Sequence, residues 1–287
     1  EDAIYIGSVV GRYANRIKAG LLKLGTSTYQ LHCNRPGIHL HGGNQGFNKK
    51  IWEPQIIEDE RGPRLRLFLN SPDGDEGYPG NLRTRVSYVL TEDSSVIIDY
   101  EAETDKPTVV NLTQHSYFNL AGRGDITGHL LQINGSAFTP VGPDLIPTGE
   151  LLDVEGSPFD FRTLRSISAA IAEEDKRKKA GEGFDHNYVL DTRGDVTKVA
   201  AYLYHEKSGR MMAVYTTKPG MQFYTGNYLD GRRKGRGGAG FFKHAALCLE
   251  TQYFPDSPNQ PLFPSPLLVP GDIYRHTTIY RFGLQRR

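Results

Sequence analysis

Apolar and polar side chains alternate one by one over Arg64–Leu69, Arg83–Leu90 and Ser95–Glu103. A period of two puts every second side chain on the same face, so each stretch predicts a strand with one buried side. The same pattern predicts strands over Ala3–Val10, Gly20–Leu24 and Tyr29–Cys33, and over Leu130–Phe138 in the middle of the chain. Toward the end it recurs over Phe184–Leu190, Val199–His205, Met211–Thr217, Met221–Thr225, Ala246–Gln252 and Tyr274–Phe282. Only Ser166–Lys179 has a helical period, with Ile167 and Ile171 on one face and a charged E-E-D-K-R-K-K tail. Turn-rich segments such as Ser71–Gly80, Pro140–Gly149 and Tyr253–Pro270 separate the elements. Many strands, one short helix and no linker or repeat predict an all-β chain. The expected architecture is a single domain over residues 1–287, built from packed antiparallel sheets.

Composition agrees with that picture. There are 32 Gly, 16 Tyr and 13 Phe in 287 residues, as expected for short strands joined by tight turns. Lys and Arg (34) balance Asp and Glu (33), so global charge gives no reason to expect nucleic acid or a membrane surface as partner. No apolar run approaches the ~20 residues that span a bilayer. Cys33 and Cys248 have neither a paired nor a metal-like spacing. Arg232–Gly238 resembles one copy of an RNA-binding RGG element, but a lone copy in a Gly-rich hairpin is weak support for RNA. Asp73, Asp75 and Glu76 lack the calcium-loop pattern and are expected to be a solvated acidic loop.

Candidate chemistry gathers in two places. Thr108–Gly122 reads as a strand whose one face carries Asn111, Thr113, His115, Tyr117 and Asn119. Neutral hydrogen-bonding groups around one histidine, where an exposed face would hold Lys or Glu, fit either the lining of a wet pocket or a core histidine satisfied by neighbouring Asn and Thr. In Ala246–Gln252, Glu250 is the one charge in an otherwise apolar strand, and a buried carboxylate there must be paired or functional. His39 and His41 would share a strand face and are the nearest approach to a metal pair. No local cluster supplies further ligands, so no metal is expected. Gly42-Gly43 allows close backbone approach beside His41, as at a cleft rim.

The motifs V-G-R-Y-A-N-R-I, H-L-H-G-G, N-L-T-Q-H-S-Y-F-N-L-A-G, F-D-H-N-Y-V-L, P-G-M-Q-F-Y-T-G-N and C-L-E-T-Q-Y-F-P-D-S-P-N-Q stand in series from about Gly7 to Phe282. Together they resemble the galactose mutarotase, or aldose 1-epimerase, family. The resemblance implies a large β-sandwich of the supersandwich type, with an open cleft for a free aldohexose and no metal or cofactor. It also implies a cytoplasmic isomerase, monomeric or weakly dimeric. Carried over position by position, it makes Glu250 the general base and His115 the general acid, with His41 as a second, supporting histidine. Asp185, Asn15, Arg16 and Gln222 become the contacts to sugar hydroxyls. A further block of strands that normally precedes G-R-Y-A-N-R in this family is absent, so either the chain is trimmed or its sheet closes differently.

The chemistry explains the residue types. Anomer exchange needs a base for the C1 hydroxyl and an acid for the ring oxygen O5, on opposite sides of the bond. Three rivals remain open. A glycoside hydrolase needs two carboxylates, and Glu250 with Asp185 is the only pair on offer. A non-catalytic sugar-binding module has no use for Glu250 with His115. A hexose-6-phosphate epimerase would need basic groups at the far end of the cleft, where only Arg16 falls in a matched motif.

Overall fold

The computed structural model describes residues 4–178 and 183–285. Ala3, the first residue of one expected strand, and Lys179, the last of the expected helix, lie outside them. Two antiparallel sheets dominate. The larger has nine strands in the order Arg165–Ser166, His129–Ile133, Ala201–His205, Arg210–Thr216, Tyr274–Leu284, Ser95–Thr104, Leu82–Leu90, Arg64–Ser71 and Glu53–Ile57. The smaller has six: Tyr117–Phe118, Leu247–Gln252, Gly220–Tyr224, Asp185–Val189, Ala137–Thr139 and Leu152–Asp153.

The sheets face one another across one apolar core. Leu247, Leu249, Phe223 and Met221 from the smaller sheet pack with Ile98, Tyr100, Val86, Val214 and Tyr280 from the larger. The Tyr280 hydroxyl donates to the Leu249 carbonyl across the gap at 3.1 Å, and Thr251 meets Thr278 hydroxyl to hydroxyl at 2.6 Å. These contacts make the fold a β-sandwich. Removing a side chain such as the fully buried Leu249 is worth about 2–5 kcal/mol in such a core. The helix Ile167–Lys178 covers one end, with Ile167, Ala170 and Ile171 buried and Ser166 accepting the Ala169 N–H at its start.

Two expected strands are broken. Leu130–Phe138 divides into His129–Ile133 in the larger sheet and Ala137–Thr139 in the smaller, so the chain changes sheets at Asn134–Ser136. Thr108–Gly122 divides into Thr108–Val109, Thr113–His115 and Tyr117–Phe118. Its polar face is therefore not one pocket wall. Asn111 is a structural tie: its amide reaches the carbonyls of Ala14 and Tyr253 at 3.3 Å, and its Oδ1 accepts the Tyr253 N–H at 2.9 Å. Asn119 caps a turn and bonds the Ala245 carbonyl at 2.8 Å.

The acidic loop also departs from expectation. Glu76 is buried, and its carboxylate accepts the N–H groups of Asn44 and Gln45 at 2.8 and 2.9 Å. It thereby pins the loop after His41. Gly43 must be glycine there, since its φ is +90° and a Cβ would lie 2.2 Å from Glu76 Oε2.

Candidate active site

The smaller sheet turns one face to the core and the other to a cleft. Register decides what the cleft face shows. Asp185, Tyr224, Cys248 and Tyr117 form one cross-strand row, and Asn187, Gln222 and Glu250 form the next. Alternation then sends Leu247, Leu249 and Thr251 to the core and Cys248, Glu250 and Gln252 to the cleft. Loops from the N-terminal third roof this face, so Asn187, Gln222, Glu250 and Gln252 on it are buried and Asp185 is partly buried. The cleft measures about 490 Å³, and Arg16, His41, His115, Asp185 and Glu250 all line it. Larger surface hollows of about 640 and 770 Å³ lie beside Asn81 and beside the Pro-rich Ser257–Val269 segment, and neither holds an acid–base pair.

Glu250 is 2% exposed, and its Oε1 stands 3.6 Å from Nε2 of His115. That is longer than a hydrogen bond. Oε2 has no hydrogen-bond partner among the described residues. Burial, and then the charge of Asp185, push this carboxyl well above the ordinary range, while Arg16 opposes them. A raised pKa makes a stronger base when the group ionises.

His115 is stacked with two tyrosine rings. Tyr117 stacks with it at 5.1 Å and Tyr5 at 5.9 Å, with tilts of 15° and 18°. His41 meets it edge-on at 5.3 Å. The Cys248 sulfur lies 3.5 Å from His115 Nδ1.

His41 follows the short strand Ile38–Leu40 with φ +50°, so the backbone turns and the expected shared face with His39 is lost. His39 instead enters a small second core. Its Nδ1 meets the His32 carbonyl at 2.8 Å and its Nε2 the Tyr78 hydroxyl at 2.7 Å, and burial lowers its pKa to about 4. His41 Nδ1 accepts the Asn15 N–H at 3.2 Å. Burial first, then His115 and Arg16, hold its pKa well below the usual value, so it is neutral with its proton on Nε2.

His41, His115 and Glu250 each offer a ligand atom within 4.8 Å of the others. A metal on Nε2 of His41 would move the ring proton to Nδ1, against the Asn15 N–H. That clash of two donors sets the donor geometry against a metal.

The remaining expected contacts join in one closed circuit. Arg16 donates to Asp185 Oδ2 at 3.3 Å and to Asn15 Oδ1 at 3.1 Å. Asn15 Nδ2 donates to Gln252 Oε1 at 3.4 Å, Gln252 Nε2 to Gln222 Oε1 at 3.2 Å, and Gln222 Nε2 back to Asp185 Oδ1 at 2.7 Å. Arg16 can only donate and the Asp185 carboxylate only accept, so every amide between them has its orientation fixed. The expected residues Asn15, Arg16, His41, His115, Asp185, Gln222 and Glu250 thus meet at one place. Tyr117, from the expected pocket face of Thr108–Gly122, joins them, and so do Gln252, Tyr5 and Tyr224, which were not among the expected site residues. Period-two alternation from Glu250 points to Gln252, and from Gln222 to Tyr224, whereas nothing local points to Tyr5.

Comparison with known proteins places this cleft in context. The family model described as aldose 1-epimerase matches residues 1–281. A mouse galactose mutarotase is 46% identical over 282 residues, covering 98% of this chain and 79% of its own length. An aldose 1-epimerase of Escherichia coli K12 is 39% identical over 285 residues, covering 98% and 81%. Among solved structures, an aldose epimerase homologue from C. elegans superposes with a TM-score of 0.88 at 29% identity, covering 99% of this chain and 84% of that one. A galactose 1-epimerase from Lactobacillus acidophilus gives 0.87 at 28% identity, covering 100% and 82%.

Proposed function

The chain belongs to the aldose 1-epimerase family and interconverts the α and β anomers of hexoses, and we propose that Glu250 and His115 carry its two proton transfers. The observation that supports these roles most directly is the facing pair itself. A buried carboxylate of raised basicity and an imidazole nitrogen stand 3.6 Å apart at the centre of the hydrogen-bonding cleft.

In this reading Glu250 removes the proton from the C1 hydroxyl while protonated His115 gives its Nε2 proton to O5. The C1–O5 bond breaks and leaves the open-chain aldehyde. Rotation about C1–C2 exposes the other carbonyl face. O5 then attacks C1 and returns its proton to His115, and Glu250 returns its own to O1. No proton is consumed. His41, neutral with Nε2–H outward, donates a hydrogen bond to a sugar oxygen at the reacting end. The circuit of Asn15, Arg16, Asp185, Gln222 and Gln252 presents oriented groups to the other hydroxyls. Asp185 is held by Arg16 and Gln222, which suits a hydroxyl acceptor better than a hydrolase's acid.

Galactose and glucose are the proposed substrates, with no metal or cofactor. The proposed enzyme is one domain over residues 1–287, a cytoplasmic monomer or weak homodimer. Among the described residues no helix is long and apolar enough to cross a membrane. Polarimetry on fresh α-D-galactose and α-D-glucose tests the substrate assignment. Accelerated decay of rotation is expected for at least one. Acceleration with galactose 6-phosphate but with neither free sugar would replace this substrate class.

A further inference from the structure

We propose that Cys248 is the positioning residue for His115, accepting its Nδ1–H so that Nε2 faces Glu250 and the sugar. The inference rests on His115 being the proton donor. The sulfur lies 3.5 Å from Nδ1, within reach for a sulfur acceptor, and the cysteine is fully buried. Its place comes from the sheet: Cys248 pairs with Tyr117 on one side and Tyr224 on the other, two residues before Glu250 on the same face. One strand therefore carries both the base and the group that aims the acid.

Something must do that aiming. Tyr5 and Tyr117 fix the plane of the ring, but a half-turn about the Cβ–Cγ bond leaves the plane unchanged. It would exchange Nδ1 with Cδ2 and Nε2 with Cε1, and so bring a carbon toward Glu250. Stacking alone cannot tell these two states apart. A polar partner beside Nδ1 can, because only a nitrogen there makes a bond.

The kind of partner also fits the cycle. When imidazolium gives up its Nε2 proton, the neutral ring left behind carries its proton on Nδ1. The sulfur accepts that N–H before and after the transfer, so the ring need not turn or change tautomer while the sugar is open. Burial, reinforced by Glu250 and Asp185, pushes the thiol well above its ordinary pKa, and it stays S–H. A neutral, weak acceptor leaves the ring free to cycle, where a carboxylate would hold it as a cation.

The test pairs ¹⁵N NMR of the ring with the kinetics of Cys248→Val, close in shape but unable to accept, and Cys248→Ser, which can. In the wild type, neutral His115 is expected to carry its proton on Nδ1. In Cys248→Val, kcat for galactose is expected to fall about tenfold or more, as misplacement of a reacting group typically costs up to about 10²-fold. KM should change less than about twofold, and Cys248→Ser should recover most of kcat. A wild-type ring protonated on Nε2 in its neutral state overturns the proposal, and that reading stands even if the valine variant fails to fold. So does a folded Cys248→Val with unchanged kcat, or a serine variant as impaired as the valine one. His115→Asn separates the two readings. If it keeps most turnover, the donor assignment falls; if it is inactive while Cys248→Val is unimpaired, only the role of Cys248 falls.

Discussion

The backbone N–H of Asn15 points at Nδ1 of His41 from 3.2 Å and leaves that ring one proton, on Nε2. The geometry makes His41 a neutral donor. His41→Gln, whose amide can donate from a similar position, is expected to retain more of kcat than His41→Ala. The alanine loss should be about 10²-fold, the low end of the scale for one preorganised donor. Incubation with EDTA should leave activity unchanged. Chelator inactivation reversed by zinc would show that His41, His115 and Glu250 hold a metal.

Glu250→Gln keeps shape and hydrogen bonding but cannot take a proton. General base catalysis is typically worth about 10²–10⁴-fold. Turnover in polarimetry should fall by that order, with galactose binding by calorimetry preserved. A folded variant with near-normal turnover removes Glu250 from the mechanism.

The same carboxyl sets the acid side of the pH profile. It must be ionised to act, and burial with Asp185 raises its pKa. The acid limb of kcat/KM should therefore lie above the ordinary Glu value near 4.3. The sign for stability is the reverse. A carboxyl with a raised folded-state pKa stabilises the fold at low pH and loses that contribution as pH rises through the folded value. Glu250→Gln should thus raise Tm at neutral pH more than at pH 4. On the alkaline side activity falls as the donor loses its proton, and that limb should disappear in His115→Asn with most of the turnover. An unchanged alkaline limb in that variant would assign the donor elsewhere.

Lys218 is fully buried among the rings of Tyr100, Tyr253 and Tyr274 at 5.9, 5.1 and 4.4 Å, and bonds the Tyr274 hydroxyl. Burial holds its pKa well below the usual lysine value. The His276 ring, packed on Tyr274, is likewise pressed down to about 2, by burial and then by Lys218. A lysine of lowered pKa folds by releasing a proton, so its stability cost grows as pH falls below the unfolded value near 10.4. Lys218→Met should therefore raise Tm, by a few degrees at pH 6 and by less near pH 10. A Tm difference independent of pH would mean that Lys218 stays charged in the fold.

How far the sequence reveals this molecule depends on the range of the interaction concerned. Leu247–Gln252 was legible because a period of two needs only neighbouring residues. Its alternation separates Leu249 from Glu250 and sends them to opposite faces. The break at Asn134–Ser136 was not legible, because both halves keep apolar character and only tertiary pairing sends them to different sheets. The acid Glu76 looked solvated because its partners, Asn44 and Gln45, are distant backbone N–H groups that leave no trace in side-chain pattern. Asn111 was misread for the converse reason: a polar side chain on an internal strand can serve the backbone as well as a ligand. His115, Glu250 and His41 stood out by local pattern, while their roles and the other four expected site residues came from motif resemblance. Alternation from Glu250 extends to Cys248 and Gln252, whereas Tyr5 enters the site only once packing places it beside the others.

The hydrogen-bonded circuit around Asp185 runs from Asn15 to Gln252, and beside it Tyr13 donates to the Phe254 carbonyl at a sequence separation of 241. Such closures are slow to find during folding, because loop entropy is lost before distant contacts repay it. A ribosome must therefore extend the chain past Gln252 before any sugar has this site to bind. A half-made chain ends before the strands Asp185–Val189, Gly220–Tyr224 and Leu247–Gln252, so it holds Asn15, Arg16, His41 and His115 with no base and no sheet to face them. Hexose in the surrounding solution favours the completed state alone, by mass action. The substrate thus acts on this protein first as an inspector of its assembly, and only afterwards as something to be turned over.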